Sequence, residues 1–81
     1  MRVDKFLKVS RIIKRRTVAK TLAENDKIII NGKVQKAGSN VKEGDILEVE
    51  YFNKKIKVRI KKVPENHVRK EDAEKLIEIV E

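Results

Sequence analysis

Cationic side chains cluster around one point of the sequence, Lys14-Arg15-Arg16, which is followed by Thr17. Apolar residues at helical spacing come next. We predict that Thr17 is the N-cap of this helix, because its hydroxyl can accept a hydrogen bond from a backbone N–H of the first turn. The three cations would then precede a helix N-terminus, which carries partial positive charge and backbone N–H groups without intrahelical partners. Such a terminus suits an anion, and guanidinium groups bind phosphate bidentately. We therefore predict a phosphate-binding site in which Arg15 and Arg16 carry the largest share.

The excess positive charge of the chain lies entirely in its first half. Residues 1–38 contain 11 lysines and arginines but 3 acidic residues, residues 39–81 contain 10 of each, and the net charge is +8. An excess this one-sided predicts a polyanionic partner at one face rather than an ordinary solvated surface. Arg2, Lys5, Lys8 and Arg11 recur at intervals of three, so a helix would place them along one flank.

Residue types suited to catalysis or metal binding are scarce. There is no cysteine, and the single histidine, His67, lies in a charged linker and is interpreted as a solvated loop residue. Asp4, Asp26 and Asp45 each lie at a predicted cap or turn, and the three glycines are scattered through turns. We expect no enzyme activity, no cofactor and no metal site.

Aromatic residues are limited to Phe6, Tyr51 and Phe52, of which Phe6 has the spacing of a core residue. Single-strand binders stack bases on exposed rings, and the sequence does not indicate such a platform. The second predicted helix offers Lys20 but few base-reading side chains, which disfavours a DNA-binding helix-turn-helix. The cations instead predict contacts to the phosphates of folded RNA.

Hydrophobic spacing predicts a helical pair at the N-terminus. Val3, Phe6 and Leu7 fall on one face of a first helix, with Asp4 as its cap. Ile12 and Ile13 are expected to anchor the following turn. The second helix should end near Asn25-Asp26, since both residue types tolerate a left-handed conformation.

A small sheet is predicted next. Asn31-Gly32, after three isoleucines, is typical of a type I′ hairpin turn. Alternating apolar residues over 47–51 and 56–60 predict two further strands joined by a turn at Asn53-Lys54. Glutamates of the first strand would face lysines of the second, which explains their charges without a ligand.

The C-terminal part is predicted to be helical. Residues 1–63 are interpreted as one domain and residues 64–69 as a polar linker. Ala73, Leu76, Ile77 and Val80 then follow the i, i+3, i+4, i+7 pattern of a short amphipathic helix, which packs on the sheet or docks on a partner. The fold class is therefore α+β, a helical pair packed on an antiparallel sheet with a short C-terminal helix.

No apolar run approaches the ~20 residues that a membrane-spanning helix needs, and the N-terminus lacks a signal-peptide core. Absence of cysteine suits a reducing compartment. We expect a monomeric cytoplasmic protein without membrane contact.

Several motifs in this order resemble the S-four RNA-binding domain. They are Arg2-Val3-Asp4-Lys5-Phe6-Leu7, Ser10-Arg11, Arg15-Arg16-Thr17, residues 28–32 and Val41-Lys42-Glu43-Gly44-Asp45. The resemblance implies a helical pair on a small, strongly bent antiparallel sheet, the alpha-L motif. The whole length is similar to the stand-alone bacterial branch, which includes the fifteen-kilodalton heat-shock ribosome-binding protein, and most of all to the ribosome quality-control P-site tRNA factors. One departure is Asp26-Lys27, where the family usually has Gly-Arg.

The resemblance implies binding to stalled large ribosomal subunits that still hold peptidyl-tRNA. Contacts to ribosomal RNA and tRNA would support a larger partner protein that adds an untemplated tail to the nascent chain. Carried over residue by residue, and with Lys20 added from the second helix, the RNA-binding set is Arg2, Lys5, Lys8, Ser10, Arg11, Lys14, Arg15, Arg16 and Lys20.

Two other functions are compatible with the residues alone. A general RNA chaperone or ribosome-assembly factor would use the same cations on immature particles. A protein-interaction module would present its basic face to an acidic partner, and nuclease treatment would then leave the complex intact.

Overall fold

The computed structural model describes residues 1–65 and 68–80 of the chain. It contains helices α1 (Val3–Val9), α2 (Arg16–Glu24) and α3 (Lys70–Ala73), and a 3₁₀ turn at Glu74–Leu76. The strands are β1 (Ile28–Ile30), β2 (Lys33–Val34), β3 (Ile46–Tyr51), β4 (Lys54–Ile60) and β5 (Ile77–Ile79). All neighbouring strands are antiparallel, in the order β2-β1-β3-β4-β5. The predicted α+β class is confirmed.

The core lies between the helical pair and one face of the sheet. The predicted apolar face of α1 is correct, because Val3, Phe6 and Leu7 are fully buried. They form one cluster with Ala19 and Ala23 of α2 and with the buried strand residues. The strand members are Ile28, Ile30, Leu47, Val49, Val58 and Ile60.

The first hairpin is as predicted. Asn31 and Gly32 have φ values of 52° and 82°, as a type I′ turn requires, and Ile30 pairs with Lys33. Asp45 has the predicted turn role, since it accepts hydrogen bonds from the Lys42 N–H and from Asn31 Nδ2, both at 3.0 Å. At the end of α2, Asp26 takes the left-handed conformation, with φ 59°.

The turn between β3 and β4 lies one residue earlier than predicted. Phe52 and Asn53 are its two central residues, both at positive φ, and Lys54 already pairs with Tyr51. The expected cross-strand charge pairs are present in part. Glu48 faces Lys57, with 3.6 Å between Oε1 and Nζ, whereas Glu50 binds Lys27 instead.

The C-terminal helix is shorter than the sequence pattern predicted. Helix α3 ends at Ala73, and Ile77–Ile79 forms β5, which pairs with the free edge of β4. Isoleucines at alternate positions favour a strand, and pairing with distant residues outweighs the local helical spacing. Ala73 and Leu76 are buried, so this segment does pack on the domain. His67 and part of the predicted linker lie outside the described residues.

Candidate RNA-binding surface

A tight turn connects α1 to α2 and leaves its cations exposed. Ser10 ends α1, and its hydroxyl donates to the Leu7 carbonyl at 3.3 Å. Arg11 then adopts a left-handed conformation with φ 63°, and the Ile13 N–H donates to the same Leu7 carbonyl at 3.1 Å. Ile13 is buried, as predicted for the anchor of this turn. The next residue, Lys14, is exposed.

Helix α2 begins at Arg16, one residue before Thr17, which was the predicted N-cap. Arg15 occupies the N-cap position without a side-chain hydrogen bond, Arg16 is the first helical residue, and Thr17 lies within the first turn. The prediction of Thr17 as N-cap is therefore wrong. Val18 and Ala19 donate to the Arg15 carbonyl, and the first turn contains no acidic residue to offset its partial positive charge.

Asp4 is the buried centre of the basic region. Its side chain is fully buried, and Oδ2 accepts from Arg16 Nε at 3.0 Å, while Oδ1 lies 3.2 Å from Arg2 Nε. The Lys5 N–H donates to Oδ1 at 2.8 Å, so Asp4 caps α1 from inside the first turn instead of from the N-cap position. One carboxylate thereby joins the start of α1 to the start of α2.

The protonation state of Asp4 follows from these contacts. Burial by itself raises the pKa of the Asp4 carboxyl, because it disfavours the charged form. The hydrogen bond from Arg16, the Lys5 N–H and the charges of Arg16 and Arg2 outweigh burial and hold the pKa below its ordinary value. Asp4 is therefore an anion at neutral pH, and the two arginines leave one net positive charge at the surface.

Arg2 is held on its other side by the loop before β3. It forms an isolated antiparallel bridge with Asn40, and the neighbouring Val3 N–H donates to the Ser39 carbonyl at 2.7 Å. Its guanidinium lies against Gly38, where an added Cβ would come within 3.7 Å of Nη2. The orientation of Arg2 is thus set by both the helix and the loop.

The predicted site residues divide into three groups. Arg2 and Arg16 are ion-paired with Asp4 but keep about half of their side chains exposed, at 48% and 42%. Ser10 is buried and serves the turn, so it lies behind the surface. The remaining residues are exposed, and within the described ranges no carboxylate oxygen lies within 4 Å of their charged groups. They are Lys5, Lys8, Arg11, Lys14, Arg15 and Lys20.

A groove brings three of these cations together with a residue that the sequence reasoning missed. Lys8, Arg11 and Lys14 line it with Lys70 of α3, and Val9 and Val68 complete its walls. Lys70 belongs to the half of the chain with balanced charge, so composition gave no indication of it. Lys20 lies apart from this groove, beside a depression next to the loop at Gly38.

Asp4 is the other residue whose role was missed, since it was interpreted only as a cap. It is the sole acidic residue among the first 23 and lies directly beside the apolar face of α1. That combination could have indicated a buried partner for the nearby arginines. No group of three potential metal ligands occurs in the described part of the chain. No described helix is long and apolar enough to cross a membrane.

Comparisons with known proteins agree with this architecture. The S4 domain family matches residues 1–47. The RQC P-site tRNA stabilizing factor of Halalkalibacterium halodurans is 54% identical over 79 residues, covering 98% of this chain and 89% of the relative. That of Bacillus subtilis is 46% identical over 80 residues, covering 99% of this chain and 92% of the relative.

Solved structures share the whole fold. The trimeric structure of Vibrio cholerae heat shock protein 15 superposes with a TM-score of 0.89 at 24% identity, covering 99% of this chain and 81% of that one. The solution structure of a hypothetical protein gives a TM-score of 0.85 at 29% identity, covering 100% and 98% of the two chains. With the match to the S4 domain and relatives of nearly full coverage, the chain belongs to the S4 domain family and, within it, to the family of the RQC P-site tRNA stabilizing factors.

Proposed function

We propose that this chain is a non-catalytic RNA-binding factor of ribosome quality control. It binds the large ribosomal subunit that carries peptidyl-tRNA, contacts ribosomal RNA and tRNA, and acts as a monomer. It thereby supports a larger partner protein that adds an untemplated tail to the nascent chain. Two observations support the proposal. The relatives are named RQC P-site tRNA stabilizing factors, and the exposed cations around α1 and α2 have no acidic partner among the described residues.

The mechanism follows from how these cations are held. Asp4 fixes the directions of Arg2 and Arg16, so part of the surface is ordered before RNA arrives. Preorganised donors lose less conformational entropy on binding than free side chains do. Arg15 contributes a guanidinium that can bind a phosphate bidentately beside the N-terminus of α2. The surface therefore recognises the spacing of phosphates in a folded RNA.

This arrangement changes the expected shares of the arginines. The sequence predicted that Arg15 and Arg16 together carry the largest share of phosphate binding and did not distinguish between them. In the structure Arg16 already donates Nε to Asp4, which leaves fewer of its five N–H groups for phosphate. We propose that Arg15 is the stronger phosphate ligand and that Arg16 both binds RNA and positions the region.

The test is the salt dependence of binding to Bacillus subtilis large subunits that carry peptidyl-tRNA. Engagement of roughly five or six phosphates gives a log–log slope of about −4 to −5, and Arg15→Ala should make it shallower by about 1. Lys57→Ala is the matched control, because Lys57 faces Glu48 across the sheet. A flat response of the wild type would reject the mechanism, and equal losses in both variants would reject a localised surface.

Sedimentation separates this function from ribosome assembly. We expect the protein to follow free large subunits that carry peptidyl-tRNA and to leave them after ribonuclease treatment. Migration with immature particles would instead indicate a general RNA chaperone or assembly factor.

A further inference from the structure

The tip of the β3–β4 hairpin carries an aromatic side chain in solvent. Phe52 is 81% exposed, the highest value among the large hydrophobic residues of the described chain. It lies near the opposite end of α2 from Arg16, because the groove beside it is lined by Leu22 and Asn25 at the C-terminal end of that helix. The hairpin is therefore separate from the cationic surface around α1 and the start of α2.

The backbone at this turn is unfavourable for phenylalanine. Phe52 has φ 48° and Asn53 has φ 61°, in the left-handed region that asparagine and glycine adopt readily. A bulky residue there is a conformational outlier, and such outliers cluster at functional sites. Neither burial nor turn chemistry accounts for a phenylalanine at this position, and its exposed ring is accessible to a partner.

The surroundings of Phe52 are aromatic and cationic. The Tyr51 ring lies beside it, with 4.4 Å between centroids and 41° between planes. Lys27, Lys54 and Lys55 line the adjacent groove, and Glu50 pairs with Lys27 at 3.0 Å. For the other two lysines, the described ranges place no carboxylate oxygen within 4 Å of Nζ. An exposed ring with two such lysines matches the chemistry of a nucleotide, a base joined to phosphates.

We propose that Phe52 stacks on an unpaired base of the bound RNA, with Lys54 and Lys55 contacting the flanking phosphates. This inference rests on the proposed RNA-binding function and adds a second contact to it. The sequence did not indicate a stacking platform, since the exposure of Phe52 depends on the position of the β3–β4 turn. Stacking accepts any base, so this contact adds affinity for a single-stranded position without reading its identity.

Three substitutions of Phe52 separate stacking from other roles, using binding to the large subunits described above. Phe52→Leu keeps an apolar side chain but removes the ring and should weaken binding by about 5- to 150-fold, the range for loss of one stacked base. Phe52→Trp should bind within about 3-fold of the wild type, because it keeps an aromatic face. Phe52→Asn should bind as weakly as Phe52→Leu without lowering the melting temperature, because asparagine suits the positive φ.

The salt dependence distinguishes this contact from the cationic surface. Phe52→Leu should lower affinity at every salt concentration and leave the log–log slope unchanged, whereas Arg15→Ala makes the slope shallower. If the wild type does not bind the subunits, both the proposed function and this inference are overturned. If the wild type binds and Phe52→Leu binds equally well, this inference alone is overturned.

Photo-crosslinking identifies what touches the ring. With p-benzoylphenylalanine in place of Phe52, irradiation of the complex should give a protein–RNA crosslink whose size falls after ribonuclease treatment. The crosslinked position should map to an unpaired nucleotide. A product that only protease shortens would show that the hairpin docks on a protein and would overturn the proposal.

Discussion

The helical pair and the sheet of this protein contain similar numbers of cations but hold them differently. In the sheet, Lys57 faces Glu48 and Arg59 faces Glu78 across neighbouring strands, at 3.6 and 3.7 Å. In the helical pair, Arg2 and Arg16 share the single carboxylate of Asp4, and the cations around them have no acidic partner among the described residues. Sheet register thus neutralises charge at Lys57 and Arg59, away from the β3–β4 turn, whereas the helical pair concentrates its positive charge.

This difference shows that the number of cations in a region does not determine whether those cations are paired with carboxylates. The Arg59–Glu78 pair is about half exposed on both sides, and exposed ion pairs contribute little to stability. Asp4 is fully buried, so its partners affect both the fold and the surface. Substitutions at Asp4 and its partners should therefore change the free energy of unfolding, whereas those at exposed ion pairs should not.

The largest effect is expected for Asp4→Asn. The change leaves two guanidinium groups around a neutral amide that accepts fewer hydrogen bonds, and it should lower the free energy of unfolding by about 2–3 kcal/mol. Urea denaturation at pH 7, followed by circular dichroism, measures the loss.

Glu50→Gln is the matched control. Like Asp4, Glu50 is an ion-paired carboxylate, but it is exposed and pairs with Lys27. We therefore expect no measurable change in the free energy of unfolding. Equal destabilisation by the two substitutions would show that burial of Asp4 has no special role.

Much of the fold could be predicted from local patterns. The apolar face of α1 and the Asn31-Gly32 turn depend on spacing and on residues a few positions apart, so the sequence is informative there. Leu76, Ile77 and Val80 fit a helical pattern, Ile77 and Ile79 fit an alternating one, and the free edge of β4 decides between the two. That edge is formed by residues far away in the chain, which explains the wrong prediction.

The sequence identified the cations of the candidate site but not the contacts between its residues. The cations stand out from their number alone. The contact between Asp4 and Arg16 spans twelve residues and depends on how α1 packs against α2. Helix α2 likewise begins at Arg16 instead of after Thr17, which the preference of threonine for the N-cap did not predict. The exposure of Phe52 likewise depends on the position of the β3–β4 turn.

A smaller and mixed effect is expected for Arg16→Ala. Asp4 then keeps only Arg2 as a charged partner, so the free energy of unfolding should fall by about 1–2 kcal/mol, and RNA affinity should fall with it. Arg15→Ala should weaken RNA binding alone, because Arg15 makes no ion pair within the described residues. Thermal denaturation and subunit binding, measured on the same preparations, separate the two roles.

Arg16→Lys sharpens this test. A lysine supplies one compact charge and cannot reproduce donation from both Nε and Nη2, so it should restore only part of the lost stability. An Arg16→Ala variant with unchanged melting temperature would show that the Asp4 contact does not stabilise the helical pair.

The smallest effect is expected on the pH dependence of stability. The pKa of Asp4 is held below the ordinary 3.8 in the folded chain, so the unfolded chain binds the proton more readily. The stabilisation is therefore complete above about pH 4 to 5 and is lost as pH falls through the folded pKa, by at most about 1.4 kcal/mol per pH unit. Urea midpoints between pH 7 and pH 2 should fall less steeply for Asp4→Asn than for the wild type at the acid end. Parallel acid limbs would mean that Asp4 titrates alike in both states and would contradict the assignment of this carboxylate as the buried anion that holds Arg2 and Arg16.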